Sequence, residues 1–286
     1  MTVVISDNIV LPFTQTPDGG DGGVTLLDND LKKAYICYKT IVTSENITAS
    51  SQSAGYPVTN ISNPLTAHRW KPSALPANAQ IETSTASQLQ YMGIAGHTLS
   101  NAECVIAFQY STNNGSSWTT IKSFAPGDNK PILCIFDVLA PLWRIQITRS
   151  TGSVKTAMPS IGVFMAGAAL KMQRGIYVGH TPITLARKTQ RITNKTEGGQ
   201  YAGSSIIKEG VGTTFEWKNL TSDWYRENFD PFVVYARSNP FFIAWRYAEF
   251  PYEVGFVWTT DDIKPQNTGP RDFMSVSMSV EGYSDE

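Results

Sequence analysis

Residues 105–121 read VIAFQYSTNNGSSWTTI. Two runs rich in β-branched and aromatic residues flank the Asn114-Gly115 pair, and this arrangement is typical of two strands joined by a tight turn. Asparagine and glycine adopt the positive φ angles that such a turn needs more readily than other residues do. The segment therefore predicts a β-hairpin, with Tyr110 on one strand and Trp118 on the other.

Similar short apolar runs recur along the chain, separated by clusters of Gly, Pro, Asn and Ser, while long helical periodicity is nearly absent. The further strand candidates are 34–43, 131–138, 142–150, 211–218, 241–247, 253–259 and 273–280. Many short strands with this punctuation are typical of a sandwich. The sequence therefore predicts an all-β protein.

The pattern divides the chain into three parts. Residues 1–44 hold an N-terminal strand and, at 14–30, a flexible loop with Pro, Asp and four glycines. Residues 45–167 form a β-sandwich, and 168–286 a second, mainly β domain. Within the latter, 187–210 has no apolar stripe and much Gly, Lys and Arg, so we expect a long polar arm that orders against a partner.

One short helix is predicted in the second domain, from SDWYRENFDPFVVYARS at 222–238. Ser222 or Asp223 can cap its start. Trp224, Phe229, Phe232, Val233 and Ala236 follow at roughly helical spacing, which favours a core face over a ligand site. Pro231 is expected to kink or split the helix because it lacks an amide hydrogen.

Composition excludes several classes of function. The chain has 286 residues, of which 41% are hydrophobic and 16% charged, as in a globular protein. Its 23 basic and 24 acidic residues nearly cancel, so no global field attracts nucleic acid. No apolar run approaches the length of a membrane span, and the opening MTVVISDNIV lacks the basic region of a secretory signal. We expect neither a nucleic-acid partner nor a membrane span.

The three cysteines, Cys37, Cys104 and Cys134, are widely spaced and each lies in an apolar run. We interpret them as reduced, buried residues, with a Cys104–Cys134 bridge as the alternative.

Motifs for catalysis, cofactors and metals are missing. The sequence has no phosphate-binding glycine loop, HExxH motif, paired cysteine spacing or G-x-S-x-G elbow, and its three histidines are far apart. Asp261 and Asp262 would point to opposite faces of a strand, so we interpret them as turn residues and not as a carboxylate pair. We expect no enzyme activity, no cofactor and no metal.

Four segments in order carry a resemblance to the discoidin family, whose fold is a galactose-binding-like sandwich. They are ENITASSQSAGYPVTNISNPLTAHRW (45–70), QIETSTASQLQYMGIAGHTLS (80–100), the hairpin at 105–121, and LWRIQITRSTGSVKTAMPSIGVFMAG (142–167). The resemblance implies a ligand-binding end formed by loops, and it places His68, Arg69, His97 and the loop 124–130 there. These residues would contact either sugar or a neighbouring subunit.

Two tryptophans and an arginine of this region are interpreted as structural. Trp70 and Trp118 are expected to be buried, with sugar stacking as the alternative. By its position in the family, Arg144 is expected to pair with a carboxylate or carbonyl within the sandwich.

The C-terminal part resembles tail proteins of long-tailed phages. The similarity lies in GTTFEWKNLT (212–221), in the helix that ends in VVYARSNPFFIAWRYAEFPYEVGFVWTTDDI (233–263), and in RDFMSVSMSVEGY (271–283). The resemblance implies a structural subunit of a tail tip or baseplate, assembled in the host cytoplasm and located in the virion tail. Its partners would be copies of itself in a ring, with threefold and sixfold symmetry both open, and other tail-tip, hub and tail-tube proteins.

Three functions therefore compete. The main hypothesis is a ring component of a tail tip, whose head-to-tail interface closes through the arms at 14–30 and 187–210. The alternative is a carbohydrate-binding module that recognises host surface glycans. A secreted hydrolase accessory domain ranks last because we find no secretory signal.

Overall fold

The computed structural model describes residues 10–12, 33–176, 179–269 and 272–283. The loop expected at 14–30 lies outside these residues. Within these residues, two β-sheets, one short helical segment and two 3-10 turns make up the fold, which confirms the all-β prediction. The hairpin turn at 112–118 is also confirmed, because Asn114 and Gly115 have φ angles of 53° and 82°.

The first sheet forms the sandwich. Its strands are β1 (Val10–Pro12), β3 (Ile47–Ala49), β4 (Ala77–Ala95), β5 (Cys104–Ser111), β6 (Thr119–Phe124), β7 (Ile132–Arg149) and β8 (Val163–Gly167). They run in the order β3-β4-β7-β5-β6, with β8 against β4 and β1 parallel to β7. A 3-10 helix, Val58–Ser62, lies between β3 and β4.

Two long strands, β4 and β7, each contribute one half to each layer of the sandwich. The pairing of β4 with β7 is interrupted between Glu82 and Ser87, and only the second half of β4 also pairs with β8. Inward side chains from the two halves, such as Ile81 and Met92, meet in one core cluster. The two strands expected at 131–138 and 142–150 are therefore one bent strand. Pro141, which has no amide hydrogen for a ladder, lies at the bend.

The second sheet is built from chain segments that come before and after residues 45–167 in the sequence. Its strands are β2 (Tyr35–Cys37), β9 (Leu170–Lys171), β10 (Arg187–Lys195), β11 (Tyr201–Thr221), β12 (Phe241–Ala244), β13 (Val254–Thr259), β14 (Pro265–Thr268) and β15 (Phe273–Tyr283). Their order is β10-β11-β15-β13-β12-β2-β9, with β14 against β15. A 3-10 turn, Ile183–Leu185, precedes β10.

The segment 187–210, expected as a polar arm, has regular strand structure. β10 pairs with the first half of β11 over its whole length, and all nine of its residues are exposed. Only the second half of β11 joins the rest of the sheet, through β15. The segment buries few apolar side chains, and it is ordered instead by backbone hydrogen bonds between the two strands.

The predicted helix extends over α1 (Ser222–Trp224), a π-helical turn (Tyr225–Phe229) and α2 (Asp230–Ala236). Its core face is confirmed, because Phe229, Phe232 and Ala236 are buried against the second sheet. Pro231 lies in the first turn of α2, where its missing amide hydrogen is not needed. The predicted cap is not seen: Thr221 precedes the helix, and no side chain caps it.

A third cluster joins the sandwich to the second sheet. Tyr91 and Leu133 from the sandwich pack with Cys37, Phe242 and Phe256 of the second sheet. All three cysteines are buried and free, as expected for reduced residues. Burial raises the pKa of the Cys37 and Cys134 thiols, which keeps both in the unreactive neutral form.

Candidate functional site

Four connections meet at one end of the sandwich, which we call the loop end. Strand register places the end of β4 beside the start of β8, and the start of β5 beside the end of β7. The connections 96–103 and 150–162 leave these strand ends. The connection 50–76 joins them through the pairing of Trp70 with Ile161, and 125–131 through the hydrogen bond from the Ser100 amide to Asn129 Oδ1. The loop end therefore brings together the segments that hold His68, Arg69, His97 and the loop 124–130.

Arg69 is held at the surface by the neighbouring connection. Its Nη1 donates a hydrogen bond to Ser160 Oγ at 3.3 Å, and Ser160 Oγ lies 3.2 Å from Thr98 Oγ1. The backbone carbonyl of Arg69 accepts a hydrogen bond from Asn60 Nδ2 at 2.9 Å. Because the residue is half-buried and anchored at both ends, the direction of its guanidinium is restricted. His68, the next residue in the chain, is exposed.

Trp70 determines how this segment is oriented. Its indole is fully buried, and its Nε1 donates to the Ser51 carbonyl at 3.1 Å. Its backbone exchanges two hydrogen bonds with Ile161, at 2.9 and 3.0 Å. The structural role predicted for Trp70 is confirmed.

The expectation that His97 belongs to an exposed polar surface is corrected. Its side chain is only 1% exposed. Nε2 lies 2.8 Å from the Lys130 carbonyl, and Nδ1 faces the Leu99 amide at 3.4 Å. Burial lowers the pKa of His97 to about 4, with a smaller contribution from the Arg69 charge. His97 is therefore a neutral residue whose hydrogen bond holds the connection 96–103 against the connection 125–131.

Trp118 and Arg144 lie at a distance from the loop end, on the outer face of the sandwich. Trp118 is half-buried, and the Arg144 guanidinium carbon lies 4.0 Å from its ring centroid. Arg144 Nε donates to Gln109 Oε1 at 2.6 Å, so the expected carbonyl partner is a side-chain amide. The prediction of a buried Trp118 was wrong: the residue is half-buried, and the two threonines that follow it at the start of β6 are exposed.

Tyr56 is a candidate that the sequence patterns did not indicate. Its ring is 46% exposed, and its carbonyl accepts a hydrogen bond from the Lys71 amide at 3.4 Å. This contact places Tyr56 beside the segment that carries Arg69. A single tyrosine in the turn-rich stretch SAGYPVTN has no periodic neighbours, so no pattern distinguished it from a core residue.

The loop end offers hydrogen bonding and stacking. Within the described ranges, no three His, Cys, Asp or Glu residues are grouped so that they could hold a metal ion. No helix of the described chain is long and apolar enough to cross a membrane. The groups that the loop end offers to a ligand are a guanidinium, an imidazole, amides, hydroxyls and one exposed phenol ring.

Comparisons with known proteins found similarity in structure only. No protein-family profile matches the sequence, and no curated protein matches it. Solved structures that match include chitosan-binding module 1 of a chitosanase/glucanase from Paenibacillus sp. IK-5, with 18% identity over 46% of this chain and 99% of that one (TM-score 0.39). Module 2 of the same enzyme, in complex with chitotriose, matches with 21% identity over 43% and 95% (0.36). CBM32-3 of a family 31 glycoside hydrolase from Clostridium perfringens matches with 14% identity over 44% and 94% (0.34).

Proposed function

We propose that this chain is a non-catalytic binding protein whose sandwich recognises carbohydrate at the loop end. The observation that carries the proposal is the anchored guanidinium of Arg69, on the same connection, 50–76, as the exposed residues His68 and Tyr56. Arginine and histidine bind sugar hydroxyls through directed hydrogen bonds. A tyrosine ring covers the apolar face of a pyranose, and together these groups select sugars over ions or apolar ligands.

The guanidinium retains capacity for a ligand. Among the described residues, Ser160 is the hydrogen-bond acceptor that the side chain of Arg69 contacts, and it engages one of five N–H donors. Because Asn60 holds the backbone of Arg69 and Ser160 holds one N–H of its guanidinium, a sugar would meet a side chain that already has a partner. Preorganisation of this kind lowers the entropic cost of binding.

A glycan-binding measurement with matched variants tests the proposal. Arg69→Ala and Tyr56→Ala are each expected to weaken binding of at least one glycan that the parent protein retains, without a change in melting temperature. Lys264→Ala, at an exposed residue just before β14 of the second sheet, removes the same charge away from the loop end and serves as the control. Arg69→Lys keeps the positive charge but removes the planar guanidinium with its five N–H donors. We expect this variant to bind poorly. Unchanged affinity of Arg69→Ala for every glycan that the parent protein retains would exclude the loop end as a site.

A second candidate function is that of a ring subunit in a phage or phage-like tail tip, located in the virion tail. The observation that favours it is the hairpin of β10 and β11, which exposes four large apolar side chains. Ile192, Tyr201, Ile206 and Ile207 are 53–70% exposed. The outer edge of β10 also pairs with no strand among the described residues, so it offers backbone groups to another chain. Copies of this chain, hub proteins and tail-tube proteins are the proposed partners. The two functions are compatible, because the hairpin and the loop end use different residues.

A further inference from the structure

A groove of about 360 Å³ lies where the loop end meets the second sheet. One wall is the connection 128–131 of the sandwich. The opposite wall consists of the 3-10 turn at Ile183–Leu185 and of β10, β11, β13 and β15 near the base of the hairpin. Its volume falls within the range of small-molecule sites, which is roughly 300–1,000 Å³. Neither Arg69 nor His68 lines it.

The lining combines aromatic rings with charges of both signs. Tyr252, Phe256 and Tyr283 supply the rings. Lys130 and Arg187 supply two cations, and Asp128 and Glu209 supply two carboxylates. Lys130 Nζ lies 3.3 Å from Asp128 Oδ2, so one pair is neutralised internally.

This charge balance disfavours an ionic ligand and favours a neutral ligand that both donates and accepts hydrogen bonds. Hydroxyl groups have that property. Thr184 and Thr189 add further hydroxyls to the walls. Among neutral polyhydroxyl compounds, a saccharide also has an apolar ring face that suits tyrosine and phenylalanine.

The wall at 128–131 is held firmly. The Lys130 carbonyl binds the buried His97 ring, and Asn129 Oδ1 accepts from the Ser100 amide at 3.2 Å. Across the junction, the Gly96 amide donates to Tyr283 Oη at 2.5 Å. The two walls are therefore connected through one short segment, 96–100, by hydrogen bonds from Gly96, His97 and Ser100.

A buried carboxylate lies behind the opposite wall. Glu253 is 3% exposed, and its Oε1 accepts from Thr184 Oγ1 at 3.3 Å. Its Oε2 is buried and has no hydrogen-bond partner in the described structure. Both neighbours of Glu253 in the chain, Tyr252 and Val254, line the groove. The hydrogen bond between Thr184 and Glu253 therefore holds the stretch 252–254 against the 3-10 turn of this wall.

We propose that this groove is a second binding site, which takes a short neutral saccharide independently of the loop end. The saccharide lies between the 128–131 wall and the base of the hairpin, with its ring faces against the tyrosines. Its hydroxyls bind the charged groups of both walls. Since residues of both sheets contribute, occupation also stabilises the junction between the sandwich and the second sheet.

The test uses the full-length chain, with lactose and cellobiose as neutral probes and digalacturonic acid as the charged one, followed by ligand-observed nuclear magnetic resonance. Arg187 and Thr189 line the groove from β10, and Thr189 is exposed. Thr189→Trp should fill the groove and weaken binding of a neutral probe at least roughly tenfold. Thr193→Trp, an exposed threonine on the same strand outside the groove, should bind like the parent. The charged probe should bind more weakly than the neutral ones.

The loop-end variant separates this proposal from the previous one. If Arg69→Ala retains neutral saccharide binding that Thr189→Trp loses, the groove stands and the loop-end proposal fails for that sugar. If Arg69→Ala loses binding and Thr189→Trp retains it, the groove proposal is overturned. Absence of binding of both neutral probes to the parent, or equal weakening by Thr189→Trp and Thr193→Trp, also overturns it.

Discussion

The guanidinium of Arg144 lies over the indole of Trp118, with 4.0 Å between the guanidinium carbon and the ring centroid. The same guanidinium donates from Nε to Gln109 on the adjacent strand β5. Burial lowers the pKa of Arg144, yet the group remains charged at neutral pH because its ordinary pKa is so high. Trp118 is therefore positioned by a cation on the sheet surface and not by enclosure in the core.

This position predicts a modest effect of Trp118→Ala on stability. Removal of a half-buried ring and its cation contact should reduce the free energy of unfolding by about 1–2 kcal/mol. Trp143→Ala, at a fully buried position, should cost about 3–5 kcal/mol. Urea unfolding of the two variants measures the difference. Equal losses would mean that Trp118 is held as tightly as a core residue.

Gly167→Ala should destabilise the protein by about 2–3 kcal/mol, the upper part of the usual range for overpacking. A Cβ at this position would lie 2.1 Å from the Lys39 carbonyl oxygen, so the backbone itself would have to shift. Gly127→Ala is the control, since nothing lies within 4 Å of its added Cβ, and its effect should stay within about 0.5 kcal/mol. Similar melting temperatures for the two variants would show that the contact of β8 with 39–41 relaxes easily.

Stability should fall as the pH decreases from about 6.5 to 4, in part because of His97. Its pKa is about 4 in the folded protein and 6.5 in the reference state, so the unfolded chain binds the extra proton across this window. Stability therefore rises with pH there, and the full shift corresponds to about 3 kcal/mol.

His97→Gln is the variant that isolates this effect, because its amide can still donate to the Lys130 carbonyl. The decrease in free energy of unfolding between pH 6.5 and 4 should be smaller in His97→Gln than in the parent. Identical pH profiles would show that other groups account for the whole dependence.

The exposed apolar residues of the hairpin predict self-association. Sedimentation velocity over a range of concentrations should detect assemblies of the parent that Ile192→Ser and Ile206→Ser weaken, because both remove apolar surface from the contact. Leu185→Ser replaces a residue that is 60% exposed outside the hairpin and should leave assembly unchanged. A parent that is monomeric at every concentration would count against the ring hypothesis.

Local patterns predicted the elements that depend on neighbouring residues. The turn at Asn114-Gly115 follows from the positive φ angles of those two residues, and the buried face of α2 follows from apolar spacing. The cysteines were correctly predicted as reduced because each lies in an apolar run. Burial on one face of an element is a property of its own sequence, which is why these predictions held.

Long-range pairing decided the rest. No pattern near Tyr35 or Leu170 shows that β2 and β9 join a sheet whose other strands begin at Arg187. The enclosure of His97, the half-open position of Trp118 and the groove behind Lys130 each depend on contacts between segments more than 25 residues apart. The sequence by itself determined the all-β class, the turn and the helix face of this protein. Only the tertiary structure decided which polar residues remain available to a ligand, because that depends on which distant segments cover them.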